Sequence, residues 1–163
     1  MKFKLCGPAL PALTLALALS LATAGASAQT SVKEPWIRST VAQQTASSLF
    51  AQITSAKGGR LVGASSAVAG VVEIHEMAMQ GDVMTMRAVP GLDLPAGKPV
   101  ELKPSGYHVM LFDLKQQLKA GDTVVVSLVI EGADKKRETV EVKVPVRALG
   151  AAASEHGGHD HKH

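Results

Sequence analysis

Five methionines, Met77, Met79, Met84, Met86 and Met110, fall within one 34-residue window of the 163-residue chain. The histidines His75 and His108 border or enter the same window, and the other four histidines are all in the last eight residues. A thioether sulfur is neutral and soft, and it favours a soft monovalent ion such as Cu(I) over hard cations. Imidazole adds borderline nitrogen donors, so a set of two histidines and two methionines suits Cu(I) without any charged ligand. Zinc would call for cysteine, histidine or carboxylate instead. Methionine also fills gaps in apolar cores, so residue types alone leave a packing role open beside a metal-binding one.

Spacing bears on that choice. His75, Met77 and Met79 are two apart, which places them on one face of a strand. Met84 and Met86 have the same spacing, and Gly81-Asp82 between the two groups suits a two-residue hairpin turn. That turn sets Met79 opposite Met84 and Met77 opposite Met86, with His75 diagonal to Met86. Glu73 and Glu76 are near in sequence, but Glu76 falls on the face opposite His75. His108 and Met110 again share a face, on a later strand that a sandwich can bring beside the hairpin.

The elements that must hold these residues read as short strands. Val140, Val142, Val144 and Val146 alternate with Glu141, Lys143 and Pro145, the period of a strand with one buried face. Thr123–Ile130 is a β-branched run, expected as a strand covered on both faces. Gly91–Pro99, with Pro90, Pro95 and Pro99, is expected to be a loop. Residues 29–33 are polar and expected to be loose, Gln43–Phe50 fits a helical turn or a strand, and Lys135-Lys136-Arg137 reads as an exposed turn. No long helical period occurs, and the pattern predicts an all-β protein, a single-domain β-sandwich with Greek-key connections.

The ends differ in composition. Residues 1–28 carry Lys2 and Lys4, an apolar run and Ala26-Ser27-Ala28, the layout of a cleaved signal peptide. Prolines at 8 and 11 interrupt the run, so no stable membrane anchor is expected. Cys6 precedes the apolar run, where a lipid-bearing cysteine would follow it, and it is the chain's only cysteine. The mature protein therefore lacks thiols and disulfides and must rely on a core, for which its roughly 135 residues suffice. Fifteen basic and 14 acidic residues remain after the leader, a net charge of +1 that gives no reason to expect nucleic acid as a partner. Residues 149–163 form a small-residue, histidine-rich tail, expected to be disordered without a ligand.

The spacing of His75, Met86, His108 and Met110 resembles the H-x10-M-x21-H-x-M signature of the PCu(A)C family of periplasmic copper chaperones. Trp36-Ile37-Arg38 is similar to the family's Trp-x-Arg opening, and the resemblance spans Glu34 to Val146. It implies a cupredoxin-like sandwich in residues 29–148, with His75, Met86, His108 and Met110 as the Cu(I) ligands and Met77, Met79 and Met84 as neighbours. It also implies a periplasmic location and delivery of copper for cytochrome c oxidase assembly, with oxidase subunit II or a Sco-type protein as partner. Ser48–Lys57 departs from the family's more aromatic, Asn-containing stretch and is expected to lie far from the ligands.

In the tail, His156, His159, His161 and His163 suit Cu(II), a harder ion than Cu(I), and Gly157-Gly158 lets the chain curl around it. A blue-copper redox role is excluded by the absence of a thiolate. No Ser-His-Asp arrangement, nucleotide loop or open zinc pattern supports an enzyme. A copper buffer would use the same ligands as a chaperone, and an interaction module would use the methionines as core. A monomer is expected.

Overall fold

The computed structural model describes residues 29–148. The leader and the four tail histidines lie outside them. Ten strands make up the described domain: β1 Thr30–Arg38, β2 Ser47–Ser55, β3 Gly59–Ser66, β4 Ala69–Gln80, β5 Val83–Ala88, β6 Leu92–Leu94, β7 Pro99–Leu102, β8 Tyr107–Leu114, β9 Thr123–Glu131 and β10 Arg137–Arg147. Among the described residues there is no helix.

Hydrogen bonding runs β5-β4-β8-β2-β1-β10-β9-β3-β6, with β7 on the free part of β2. The two halves of this path meet where β1 and β10 pair in parallel, Ile37 with Val146 and Arg38 with Arg147. They fold over one another as a cupredoxin-like β-sandwich around one core. Ile37, Leu49, Ile53, Ile74, Val109 and Leu111 enter that core from one layer, and Leu61, Val126, Leu128, Ile130 and Val144 from the other. The predicted all-β sandwich is what the chain forms.

Local chemistry explains the elements. In β10 Val144 and Val146 are buried while Lys143 and Pro145 are exposed, as the alternation required. Gly81, with φ at +65°, supplies the first turn position between β4 and β5. The resulting register pairs Met77 with Met86 and Met79 with Met84, as expected from the two-residue turn. At Lys33–Trp36 β1 advances three residues while β2 advances two. This bulge inverts the alternation, so that Val32 and Ile37 both reach the core and Trp36 turns to the outer face.

Three expectations need correction, and one ambiguity is resolved. Thr123–Ile130 is covered on one face only: Val124, Val126, Leu128 and Ile130 are buried, but Val125 is 48% exposed. Residues 29–33 are not loose, since β1 begins at Thr30, whose hydroxyl donates to Glu138 at 3.1 Å. Gly91–Pro99 is not all loop, because Leu92–Leu94 pairs with Gly59–Leu61. The Gln43–Phe50 ambiguity resolves as strand from Ser47.

Candidate metal centre

Alternation divides the work of three adjacent strands. On β8, Val109 and Leu111 belong to the core, so His108 and Met110 project from the opposite face. On β4, Ile74 is core, which puts Glu73 and His75 outside, and on β2 Leu49 and Ala51 leave Ser48 and Phe50 outside. Direct pairing sets His75 against His108 and Glu73 against Met110, and Ser48 against Met110. The outer face is nonetheless covered: His75, His108 and Met110 are 7%, 4% and 8% exposed. Aromatic rings supply the cover. Phe50 lies 6.3 Å from His108 and Phe112 5.6 Å from His75, with Trp36 tilted against Phe50 at 4.6 Å. The two imidazoles are 6.1 Å apart, centroid to centroid.

The hydrogen bonds around these side chains show which donor atoms are left free. His108 Nδ1 lies 3.1 Å from the Gly106 carbonyl, which can only accept, so Nδ1 carries the proton. Nε2 of the neutral ring is then a bare lone pair, and it faces Met86 Sδ at 3.3 Å. With d10-ion bond lengths of about 2.0 Å to imidazole and 2.3 Å to sulfur, a tetrahedral angle puts nitrogen and sulfur about 3.5 Å apart. The observed separation needs little adjustment to admit an ion between them. His75 Nε2 bonds Glu73 Oε2 at 2.9 Å. Its Nδ1 is buried without a hydrogen-bond partner, the condition of a ring nitrogen reserved for something other than a protein donor. Met110 Sδ accepts from Ser48 Oγ at 3.1 Å.

Electrostatics favour neutral donors here. Burial holds the His108 imidazole below its ordinary value of 6.5, against the raising effect of the Gly106 bond and with help from His75 and Arg38. Arg38 sits 5.7 Å over the Phe50 ring. Glu76, on the other face of β4, is engaged by Arg87 Nε at 2.7 Å. Hydrogen bonds from Arg87 and Tyr107 hold its carboxyl below the usual range, and the same bond raises Tyr107. No group of three or more His, Cys, Asp or Glu side chains is placed to hold a metal among the described residues. A site here must therefore draw on thioethers. A surface depression of about 410 Å³, lined by Ser55, Lys57, Ile130 and Lys136 among others, is elsewhere. A single ion bound between side chains needs no such cavity.

His75, Met86, His108 and Met110 thus share one face of three adjacent strands, with Met86 directly against His108. Met77 is opposite Met86, and Met79 and Met84 lie farther along the hairpin. All three are outside the core, and Met79 is 62% and Met84 52% exposed, so the core-packing role does not describe them. The sequence reading missed Glu73 as the partner that orients His75. It also placed Ser48–Lys57 far from the ligands, whereas Ser48 bonds Met110 and Phe50 covers His108. The signal available for Glu73 was its spacing of two from His75, which puts both on one face.

Residues 30–146 match the LpqE-like family model, described as "Putative lipoprotein LpqE-like". The chain is 30% identical over 128 residues, 78% of its own length and 75% of the relative's, to "Putative lipoprotein Lxx21020" of Leifsonia xyli subsp. xyli. Among solved structures, the copper-bound PCuAC domain from PmoF2 superposes with a TM-score of 0.61 at 24% identity, covering 74% of this chain and 94% of that domain. The solution structure of CuI-DR1885 from Deinococcus radiodurans gives a TM-score of 0.57 at 28% identity, covering 76% and 83%. The chain belongs to the LpqE-like family, and its described domain is a cupredoxin-like sandwich of the PCuAC type.

Proposed function

We propose that this protein is a copper chaperone that binds Cu(I) through His75, Met86, His108 and Met110 and passes it on. The observation that carries the reading is the bare His108 Nε2 lone pair facing Met86 Sδ at 3.3 Å, beside the unpartnered buried Nδ1 of His75. Two thioethers and two neutral imidazoles match a soft monovalent ion, and neither kind of donor must lose a proton from an acid to bind. Two structural neighbours are copper-bound forms, one of them with Cu(I).

The ion is cargo, so the site must release it as well as hold it. Met86, at 47% exposure, is the one solvent-facing donor of the four. It is the natural first ligand to engage an arriving ion and the first to let go to an acceptor. The three other donors, held by Glu73, Gly106 and Ser48, keep the ion dry until that exchange occurs. No step requires bond-making chemistry, which agrees with a carrier rather than an enzyme.

The wider reading is export to the periplasm, with delivery to the binuclear copper centre of cytochrome c oxidase through subunit II or a Sco-type carrier. Relatives named as lipoproteins agree with export. The histidines His156, His159, His161 and His163 add a Cu(II) site in this reading, tested by truncation after Ala148, which should remove one Cu(II) and leave Cu(I) binding intact. The central test is X-ray absorption of the Cu(I)-loaded protein. Sulfur and nitrogen scatterers together are expected; a shell of nitrogen and oxygen alone would overturn the assignment.

A further inference from the structure

The β4–β5 hairpin continues past its neighbour. Pairing of β4 with β8 ends at Glu76 and Tyr107, whereas β4 and β5 remain paired through Met77–Met86, Ala78–Thr85, Met79–Met84 and Gln80–Val83. Thr85 Oγ1 donates to the Ala78 carbonyl at 3.2 Å and fastens the two strands. Residues at 77, 79, 84 and 86 share the face that carries His75, because they are two apart along each strand and directly opposed across the pair. That face therefore presents two successive thioether pairs leading outward from His108.

Packing does not account for them. Methionine in a protein usually fills an irregular core gap, but Met79 and Met84 are 62% and 52% exposed, beside Val83 at 62%. Opposed residues in such a pair lie about 5 Å apart at Cβ, close enough for two flexible thioethers to meet on one ion. Successive pairs are about 7 Å apart along the strand, a step that the long methionine side chain spans. No carboxylate or imidazole of the hairpin shares that stretch of the face, whose positions are Met77, Met79, Met84 and Met86; Ala78, Gln80, Val83 and Thr85 are on the other face. Asp82 is in the turn, and Glu76 is held by Arg87 on the other face.

We infer that Met79 and Met84, with Met77, form a second, thioether-only site for a soft monovalent ion, from which Cu(I) moves along the ladder to Met86 and the imidazoles. The inference rests on the proposed Cu(I) site for the ion's destination but not for the binding itself. Each step exchanges one neutral sulfur for another donor, so no electron or proton moves and the ion stays monovalent. With no charged or imidazole donor, the outer site is the weaker and faster-exchanging of the two, as an entry point requires. The alternation of faces also keeps it selective, since hard cations find no oxygen ligand there.

The test uses Ag(I), a redox-inert soft ion, titrated into the full chain labelled with 13C at the methionine methyls. In the wild type the Met86 and Met110 methyls should shift with the first equivalent and Met79 and Met84 with a later one. In Met79→Leu/Met84→Leu, which keeps apolar bulk on an exposed hairpin, the later shifts and their equivalent should be lost while the first is unchanged. In His75→Ala/His108→Ala the Met79 and Met84 methyls should still move. If they stay fixed to saturation in the wild type, the ladder is not a metal site, and its apolar face is left as a contact surface for a protein partner. If instead Met79 and Met84 shift but Met86 and Met110 never do, the ladder stands and the four-ligand site fails.

Discussion

Glu73 is expected to set how well His75 binds. Its carboxylate is 2.9 Å from Nε2, which fixes the proton there and leaves Nδ1 bare. Replacing it with alanine frees the ring to rotate or change tautomer. Partners that orient a metal-bound imidazole are worth about 10- to 100-fold in affinity. The Glu73 side chain is 46% exposed, so water replaces part of what it supplies. The loss should therefore sit near the low end, about tenfold or 1.4 kcal/mol. Glu73→Gln keeps an acceptor for Nε2–H and should lose less than Glu73→Ala. The assay is competition for Cu(I) against a coloured Cu(I) chelator at neutral pH, with melting of the metal-free proteins alongside. Melting should fall only modestly, by the equivalent of about 1 kcal/mol, because the buried Nε2–H of His75 loses its acceptor while water reaches the Glu73 side of the pair. Wild-type Cu(I) affinity in Glu73→Ala would refute the argument that this carboxylate orients the ring.

Three further outcomes are expected. Met86→Leu should weaken Cu(I) binding strongly with little change in melting, since the side chain is 47% exposed, whereas Met79→Leu should leave the tighter site intact; the same competition assay checks both. Burial keeps the folded-state value of His108 below 6.5, so the unfolded chain takes up a proton there first as pH falls. Its contribution to metal-free stability should be full above about pH 6.5 and decline below it, until pH passes the folded value, as read by denaturant titrations across that window. Gly59→Ala should destabilise the fold by about 2 kcal/mol or more in urea, because φ is +141° and a Cβ would lie 2.5 Å from the Glu131 carbonyl oxygen.

The hairpin was legible in the sequence because one short turn fixes it. Gly81-Asp82 allows few connections, and the opposition of Met77 with Met86 and Met79 with Met84 follows by counting. The face of β10 was legible because valines alternate with charged residues. The face of β9 was not, because Thr123–Ile130 is β-branched or apolar almost throughout, and nothing in such a run marks the side that meets water. Thr30 was misread as loose because its burial depends on Glu138, more than a hundred residues away. Ser48 escaped notice for a similar reason: only the pairing of β2 with β8 brings it to Met110, and no local pattern states which strands are neighbours. Glu73 was considered only as a possible metal ligand, and its place as an orienting partner appears once the His75 ring is positioned.

The parallel pairing of β1 and β10 has a consequence for whatever follows the domain. Arg147 pairs with Arg38, and the Arg147 carbonyl accepts from Ser39 at 2.8 Å. From there β1, β2 and β8 follow in order to Met110, three strand spacings or about 14 Å across the sheet. His156 is nine residues beyond Arg147, and nine residues reach roughly 30 Å when fully extended. By chain length alone the tail histidines are within reach of the face that carries His75 and Met110, and a short tether holds a group at an effective concentration of about millimolar. An encounter between a tail imidazole and this face is then intramolecular, and its frequency does not fall when the protein is diluted.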